Sequence, residues 1–141
     1  VIYTNSDGGS RGNPGPGAIG VLIREDGKIL TKYSQFIGRR VTNNMAEYEA
    51  LIKALQLSLR HTEKEITCFL DSELVVKQLL GEYRVKNEKL LPLFLKVQKL
   101  QENFDKITYK HVSREDEFQQ IADELLNLEL DNNGFKQLWR K

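Results

Sequence analysis

The chain opens apolar, Val1-Ile2-Tyr3, and the pattern predicts a strand that ends at Asp7. Ala18-Ile19-Gly20-Val21-Leu22-Ile23-Arg24 predicts a second strand, and Ile29 to Ile37, with Leu30, Tyr33 and Phe36 among polar residues, a third. Between them Glu25-Asp26-Gly27-Lys28 centres on an Asp-Gly pair, a hairpin turn. The period then changes. Met45, Tyr48, Leu51, Ile52, Leu55 and Leu59 recur at three and four residues, the stripe of an amphipathic helix that fades at Arg60-His61-Thr62. Thr42-Asn43-Asn44 in front of it are cap-type residues. Ile66 to Leu70 is a continuous apolar run of the kind buried on both faces, and it stops at Asp71. Ser72 can cap a second helix with Leu74, Val75, Leu79 and Leu80 as its buried face. After a loop from Gly81 to Asn87, a third helix is expected from about Glu88 to Asn103, with Pro92 tolerated in its first turn. Ile107 to His111 reads as a fifth strand. A polar loop, Val112 to about Phe118, leads to a last helix carrying Ile121, Leu125, Leu128 and Leu130.

This order, βββαβααβα, predicts an α/β fold. A short strand–helix–strand crossover is right-handed in nearly all cases. It sets the fourth strand parallel to the first and beside it, with the fifth beyond. The expected product is a mixed five-stranded sheet in the order 3-2-1-4-5, strand 2 antiparallel, flanked by helices. A length of 141 residues with 40% hydrophobic content suits one domain with a real core. The domain is expected to span 1–130. A tail from 131 to 141 would pack back as a short turn or helix through Phe135, Leu138 and Trp139.

Charge and cysteine content narrow the chemistry. The net charge of +1 announces no polyanion partner, so any basic surface must come from local clustering. Cys68 is the sole cysteine; it excludes an internal disulfide and a thiolate metal cluster, and reads as a small buried hydrophobe. With no long apolar segment and no signal-type start, a soluble cytoplasmic protein is expected, without a membrane partner. Its setting would be reducing.

The acids change the picture most. Tyr3 to Gly17 is a stretch in which a strand delivers Asp7 to a loop of glycines with Arg11, Asn13 and two prolines. An Asp-Gly pair alone is ordinary turn punctuation. Asp71, however, stands at the end of the fourth strand as Asp7 does at the end of the first. Open α/β sheets bind ligands at the carboxyl ends of their strands, near a topological switch. Neighbouring strands lie ~4.8 Å apart, so these two carboxylates could share a divalent ion. Glu47 opens the first crossover helix and Asp123 is placed at the start of the last. Converging carboxylates repel unless a cation lies among them. Oxygen-only ligation points to Mg²⁺, with Mn²⁺ as a substitute. Two such ions activate water and stabilise the leaving oxygen of a phosphodiester. The alternative is four solvated surface acids among the 20 in the chain.

The segments Tyr3-Thr4, Asp7-Gly8-Gly9-Ser10-Arg11-Gly12-Asn13-Pro14-Gly15, Thr42-Asn43-Asn44-Met45-Ala46-Glu47-Tyr48, Leu70-Asp71-Ser72, Val85-Lys86-Asn87, His111 and Ala122-Asp123 resemble, in order and spacing, the ribonuclease H type 1 family. The resemblance runs from Val1 to about Leu130. It implies hydrolysis of the RNA strand of RNA/DNA hybrids with Mg²⁺ or Mn²⁺, two ions per site, leaving 5′-phosphate and 3′-hydroxyl ends. It implies a monomer that clears hybrids during replication and repair, with double-stranded RNA as a further duplex to test. Asp7, Glu47, Asp71 and Asp123 would be the metal-binding acids. His111 takes the place of a mobile-loop histidine that assists product release or proton transfer. Gly8, Gly9, Ser10, Asn13, Asn43, Asn44 and Ser72 would meet the hybrid, chiefly along its minor groove. Thr42, Lys86 and Asn87 would grip a phosphate of the DNA strand.

The chain also departs from the family pattern. The Gly81–Asn87 stretch lacks the basic, Trp-rich handle, as in handle-less bacterial and archaeal forms, which implies a weaker grip on the hybrid. Glu73 follows the Asp-Ser pair where Gln is common, Gln119 stands where Asn is common, and the His111–Asp123 segment is longer than usual. The rival readings are another nuclease of the same superfamily, an RNase H-like module that binds without cutting, and a plain structural domain.

Overall fold

The computed structural model describes residues 1–135. Five strands, β1 (Ile2–Ser10), β2 (Gly15–Glu25), β3 (Lys28–Val41), β4 (Glu65–Leu70) and β5 (Lys106–His111), form one sheet in the order β3-β2-β1-β4-β5. The β1–β2 and β2–β3 pairs are antiparallel and the β1–β4 and β4–β5 pairs parallel, as expected from the meander and the crossovers. Four helices complete the fold: α1 (Asn43–Ser58), α2 (Glu73–Leu79), α3 (Leu91–Gln101) and α4 (Glu117–Asn132). Among the described residues, no helix is long and apolar enough to cross a membrane.

The main core joins α1 to the parallel half of the sheet. Tyr48, Leu51, Ile52 and Leu55 pack with Ile66, Cys68, Leu70, Val97 and Tyr109. On the opposite face α4 lays Leu126 and Leu130 against Ala18, with Phe36 and Phe135 alongside. Alternation along β1 therefore sorts its side chains. Gly8 faces α1, while Asn5, Asp7 and Gly9 face α4.

Several sequence expectations move. β1 does not end at Asp7 but continues to Ser10 by pairing with β2; only its parallel ladder with β4 stops earlier, at Ser6 opposite Leu70. β4 alternates rather than being buried on both faces. Ile66, Cys68 and Leu70 are buried, whereas Phe69 is half-buried, stacked near Tyr3 with the Arg24 guanidinium over both rings. α2 buries Val75, Val76 and Gln78 and leaves Leu74 and Leu80 exposed, because it is too short to turn a full apolar stripe inward. α3 starts at Leu91 rather than Glu88: the Asn87 side chain folds back on the amides of Lys89 and Leu90 and holds a turn there. α4 buries Gln119, Ala122, Leu126 and Leu130; of the expected apolar residues Leu130 is fully buried, Ile121 and Leu125 are half-buried and Leu128 is exposed. The cause is close packing on β2, where a Cβ at Gly20 would stand 2.0 Å from the Ala122 carbonyl oxygen. α4 continues through Asn132, and Phe135 beyond it stacks on Phe36. Leu138 and Trp139 lie outside the described residues.

Two polar groups inside the main core make checkable demands. The Tyr48 hydroxyl donates to Gln78 Oε1 at 2.6 Å with both residues buried. Tyr48→Phe is expected to cost about 1–3 kcal/mol in urea denaturation, because it leaves a buried acceptor unsatisfied. Burial also pushes the Cys68 thiol up to about 12. A thiol reagent at pH 8 is expected to label Cys68 at the rate of global unfolding, and labelling as fast as a free thiol would contradict this packing.

Candidate active site

The site is built where the parallel ladder stops. Asp7 is the first residue of β1 beyond its pairing with β4, and Asp71 is the first residue after β4. Glu47 comes from the opening turns of α1, whose start is fixed by Thr42: its Oγ1 accepts from the Met45 amide at 3.2 Å. A Cβ on Gly8 would lie 2.0 Å from the Ala46 carbonyl oxygen, so α1 can sit this close to β1 only against glycine. That approach lets the Gly8 amide donate to Glu47 Oε1 at 3.0 Å.

Oxygens of Asp7, Glu47 and Asp71 lie within 4.8 Å of one another. Asp7 and Glu47 are each only 6% exposed, and Glu47 Oε2 is buried without a hydrogen-bond partner among the described residues. No lysine or arginine forms an ion pair with any of the three among the described residues. The electrostatic consequence is strong. Burial, followed by the charges of Glu47, Asp71 and Asp123, raises the Asp7 carboxyl well above the usual range. Burial raises Glu47 to about 7, against the pull of the Gly8 amide and Arg114. Asp71 is raised as well, first by burial and then by Asp123, with Arg114 and His111 acting the other way. An orphaned carboxylate oxygen in an all-oxygen donor set with unbalanced negative charge fits a hard divalent cation.

Asp123 lines the same cleft, of about 650 Å³, but stands in the second turn of α4 and not at its start, since the Asp116 side chain caps the helix earlier through the amides of Phe118 and Gln119. Gly8, Gly9, Ser10, Asn43, Asn44 and Ser72 also line the cleft. Ser72 caps α2, its Oγ accepting from the Val75 amide. Asn13 and Asn43 bind the elements to each other. Asn13 Oδ1 accepts from the Asn43 amide at 3.0 Å, and Asn43 Oδ1 accepts from the Ser10 amide at 2.9 Å and from the Ser10 hydroxyl at 3.2 Å. Accepting from a backbone N–H identifies the oxygen end of each side chain, so the NH₂ end is the donor.

The remaining expectations lie outside the cleft lining. Lys86 and Asn87 are on the loop before α3, and Thr42 is the cap of α1. His111 is not on a loop: it is the last residue of β5, paired with Leu70, and its Nε2 stands 3.2 Å from the Asp71 carbonyl oxygen. The loop cation that enters the cleft is Arg114, which sequence reasoning missed. Its only sequence signal was a basic side chain within an acidic loop, Ser113-Arg114-Glu115-Asp116. Arg11, in the glycine stretch, was equally unassigned. It lines the cleft with a nearly buried side chain, bound to Asp131, to Asn127 and to the Phe135 carbonyl.

Residues 5–128 match the family model described as reverse transcriptase-like. Among curated proteins, the chain is 39% identical over 115 residues to a bifunctional protein of Mycobacterium tuberculosis, covering 80% of this chain and 31% of that one. It is 39% identical over 132 residues to ribonuclease HI of Halobacterium salinarum, covering 93% and 65%. The chain thus spans 31% and 65% of the length of these two relatives. Among solved structures, LC11-RNase H1 in complex with an RNA/DNA hybrid superposes with a TM-score of 0.87 at 39% identity, covering 94% of this chain and 99% of that one. With the sheet order, the three converging carboxylates and these matches agreeing, the chain belongs to the ribonuclease H type 1 family.

Proposed function

We propose that this chain is an endonuclease that hydrolyses the RNA strand of RNA/DNA hybrids, using two divalent ions, Mg²⁺ or Mn²⁺. The observation that carries the reading is the Asp7–Glu47–Asp71 cluster with its orphaned Glu47 oxygen. Asp7, Glu47, Asp71 and Asp123 would hold the ions. Bound there, the ions supply an activated water and charge stabilisation for the leaving oxygen of a phosphodiester.

The rest of the work falls to the chain itself. Gly8 N–H orients Glu47, and His111 holds the backbone of Asp71 in place. Arg114 brings one positive charge to a cleft of four acids, where a negatively charged backbone has to enter. Asn13 and Asn43 spend their oxygens on the fold and keep NH₂ donors for the acceptors of a shallow minor groove. Asn44 and the backbone of Gly9 and Ser10 extend that surface. Thr42 and Asn87 likewise accept backbone hydrogen bonds and keep donors, which with Lys86 suits a DNA-strand phosphate. Recognition of this kind reads duplex shape and 2′-hydroxyls rather than sequence, consistent with the hybrid bound by the similar LC11 enzyme.

The deciding experiment incubates labelled RNA/DNA, RNA/RNA and DNA/DNA duplexes with the protein in Mg²⁺, Mn²⁺ or EDTA. Cleavage of the hybrid's RNA strand that EDTA abolishes is expected; preferential cutting of duplex DNA would overturn the assignment. Asp7→Asn and Asp71→Asn are expected to keep the native circular dichroism spectrum and lose cleavage to background.

A second prediction concerns pH. Glu47 rises from an ordinary 4.5 to about 7 on folding, so the folded state holds its proton more tightly than the unfolded chain. Stability from that proton is full below about 4.5 and is lost as pH rises through about 7. Relative to Glu47→Gln, the metal-free protein should therefore lose thermal midpoint across this window. Mg²⁺ should raise the midpoint more at pH 8 than at pH 5. Parallel pH profiles for the two proteins would contradict it.

A further inference from the structure

The acids reach the cleft from opposite faces of the sheet, and α4 is the element with the least obvious anchor. Asp123 is not among the carboxylates whose oxygens already lie within 4.8 Å of one another, so its usefulness depends on where α4 sits. One turn before Asp123, α4 carries Gln119, a fully buried polar side chain. Both ends of its amide are engaged with β1. Nε2 donates to the Ser6 carbonyl oxygen at 2.8 Å, and Oε1 accepts from Asn5 Nδ2 at 3.1 Å. Asn5 is itself buried, and its Oδ1 accepts from Arg24 Nε at 3.3 Å. The Arg24 guanidinium lies 4.0 Å from the ring centre of Phe118, the neighbour of Gln119 on α4. The chain of contacts runs from half-exposed Arg24, through Asn5 and Gln119, to the peptide group that joins Ser6 to Asp7.

Beside this chain the backbones touch. Gly20 is the register partner of Asp7, and a Cβ there would stand 2.0 Å from the Ala122 carbonyl oxygen, one residue before Asp123. The glycine sets how closely α4 approaches, and the Gln119 amide sets where along β1 it stops. A buried amide hydrogen-bonded at both ends has one register that satisfies it, since a slip leaves a donor and an acceptor without partners in the core. An Asn at this position is one methylene shorter and cannot keep both bonds without moving the helix.

We infer that Gln119 is a positioning residue for the cleavage site: through Ser6 and Asn5 it fixes the placement of Asp123 relative to Asp7, and Arg24 braces it from outside. This rests on the reading of Asp7 and Asp123 as metal-binding acids. The relay touches neither substrate nor ion, so its loss should appear in metal affinity and turnover rather than in hybrid affinity.

The test compares wild type, Q119N, R24A and D123N by three measurements: Mg²⁺ titration of cleavage, KM for the hybrid, and calorimetric Mg²⁺ binding to the free protein. In Q119N the half-saturating Mg²⁺ concentration should rise about tenfold, as for other outer-shell partners of metal ligands. KM should stay within twofold. R24A, altered at the outer end where folding is least at risk, should shift the half-saturating Mg²⁺ concentration the same way, by less than Q119N does. D123N should abolish cleavage and weaken, but not remove, calorimetric Mg²⁺ binding, since Asp7, Glu47 and Asp71 remain. A folded Q119N with wild-type Mg²⁺ binding and turnover, beside a dead D123N, would overturn the inference while leaving the metal reading intact. An active D123N with unchanged Mg²⁺ binding would overturn the reading of Asp123 as a metal-binding acid, on which the inference rests. Should Q119N not fold, R24A decides: an unchanged Mg²⁺ response there overturns the relay.

Discussion

The fold is arranged around an electrostatic conflict. Asp7, Glu47 and Asp71 bring their oxygens within 4.8 Å of one another, two of them in largely buried positions. Without a cation, burial and mutual repulsion raise all three carboxyls above their usual range, Asp7 well above it and Glu47 to about 7. Such a cluster opposes folding, and the rest of the molecule has to impose it. Pairing of β1 with β4 places two of the acids side by side, and the well-packed core beneath, from Tyr48 to Tyr109, keeps them there.

Helices enter the conflict through backbone contact. α1 packs its Ala46 carbonyl against Gly8 and α4 packs its Ala122 carbonyl against Gly20. Both contacts sit one residue before an acid of the site, Glu47 and Asp123. The two glycines act on opposite faces of adjacent strands, so a single sheet end collects side chains from both layers. Side-chain hydrogen bonds then fix register: Gly8 N–H on Glu47, Asn43 on Ser10, and the Gln119 amide between Ser6 and Asn5. Asn13 and Asn43 belong to this scaffold through the hydrogen bonds their oxygens accept.

Legibility followed the range of the interaction. The strand order was readable because hairpins and a right-handed crossover are local rules, and Asp71 and Glu47 were readable from their element boundaries. Asp7 was found for a reason that needed adjustment, since β1 continues past it on the β2 side while ending on the β4 side. Reading α4 by Ile121, Leu125, Leu128 and Leu130 caught only part of its buried face. Gln119 and Ala122 share that face with Leu126 and Leu130, because close backbone packing at Gly20 sets the contact near the start of the helix. His111 sits at the end of a strand, held to Asp71, while Arg114 supplies the cation on the loop.

The sequence by itself determined the sheet, its strand order and which acids gather at its carboxyl end. Periodicity, turn chemistry and crossover handedness are properties of neighbouring residues. Tertiary structure alone decided that Asp123 stands inside α4 rather than at its start, that Arg114 enters the cleft, and that Gln119 bridges to the peptide before Asp7. These depend on how closely α4 approaches β1 and β2, a distance set jointly by Gly20 on β2 and, far along the chain from it, by Ala122 and the buried Gln119 amide on α4. No local pattern encodes a distance between elements, so it becomes visible only once the layers are packed.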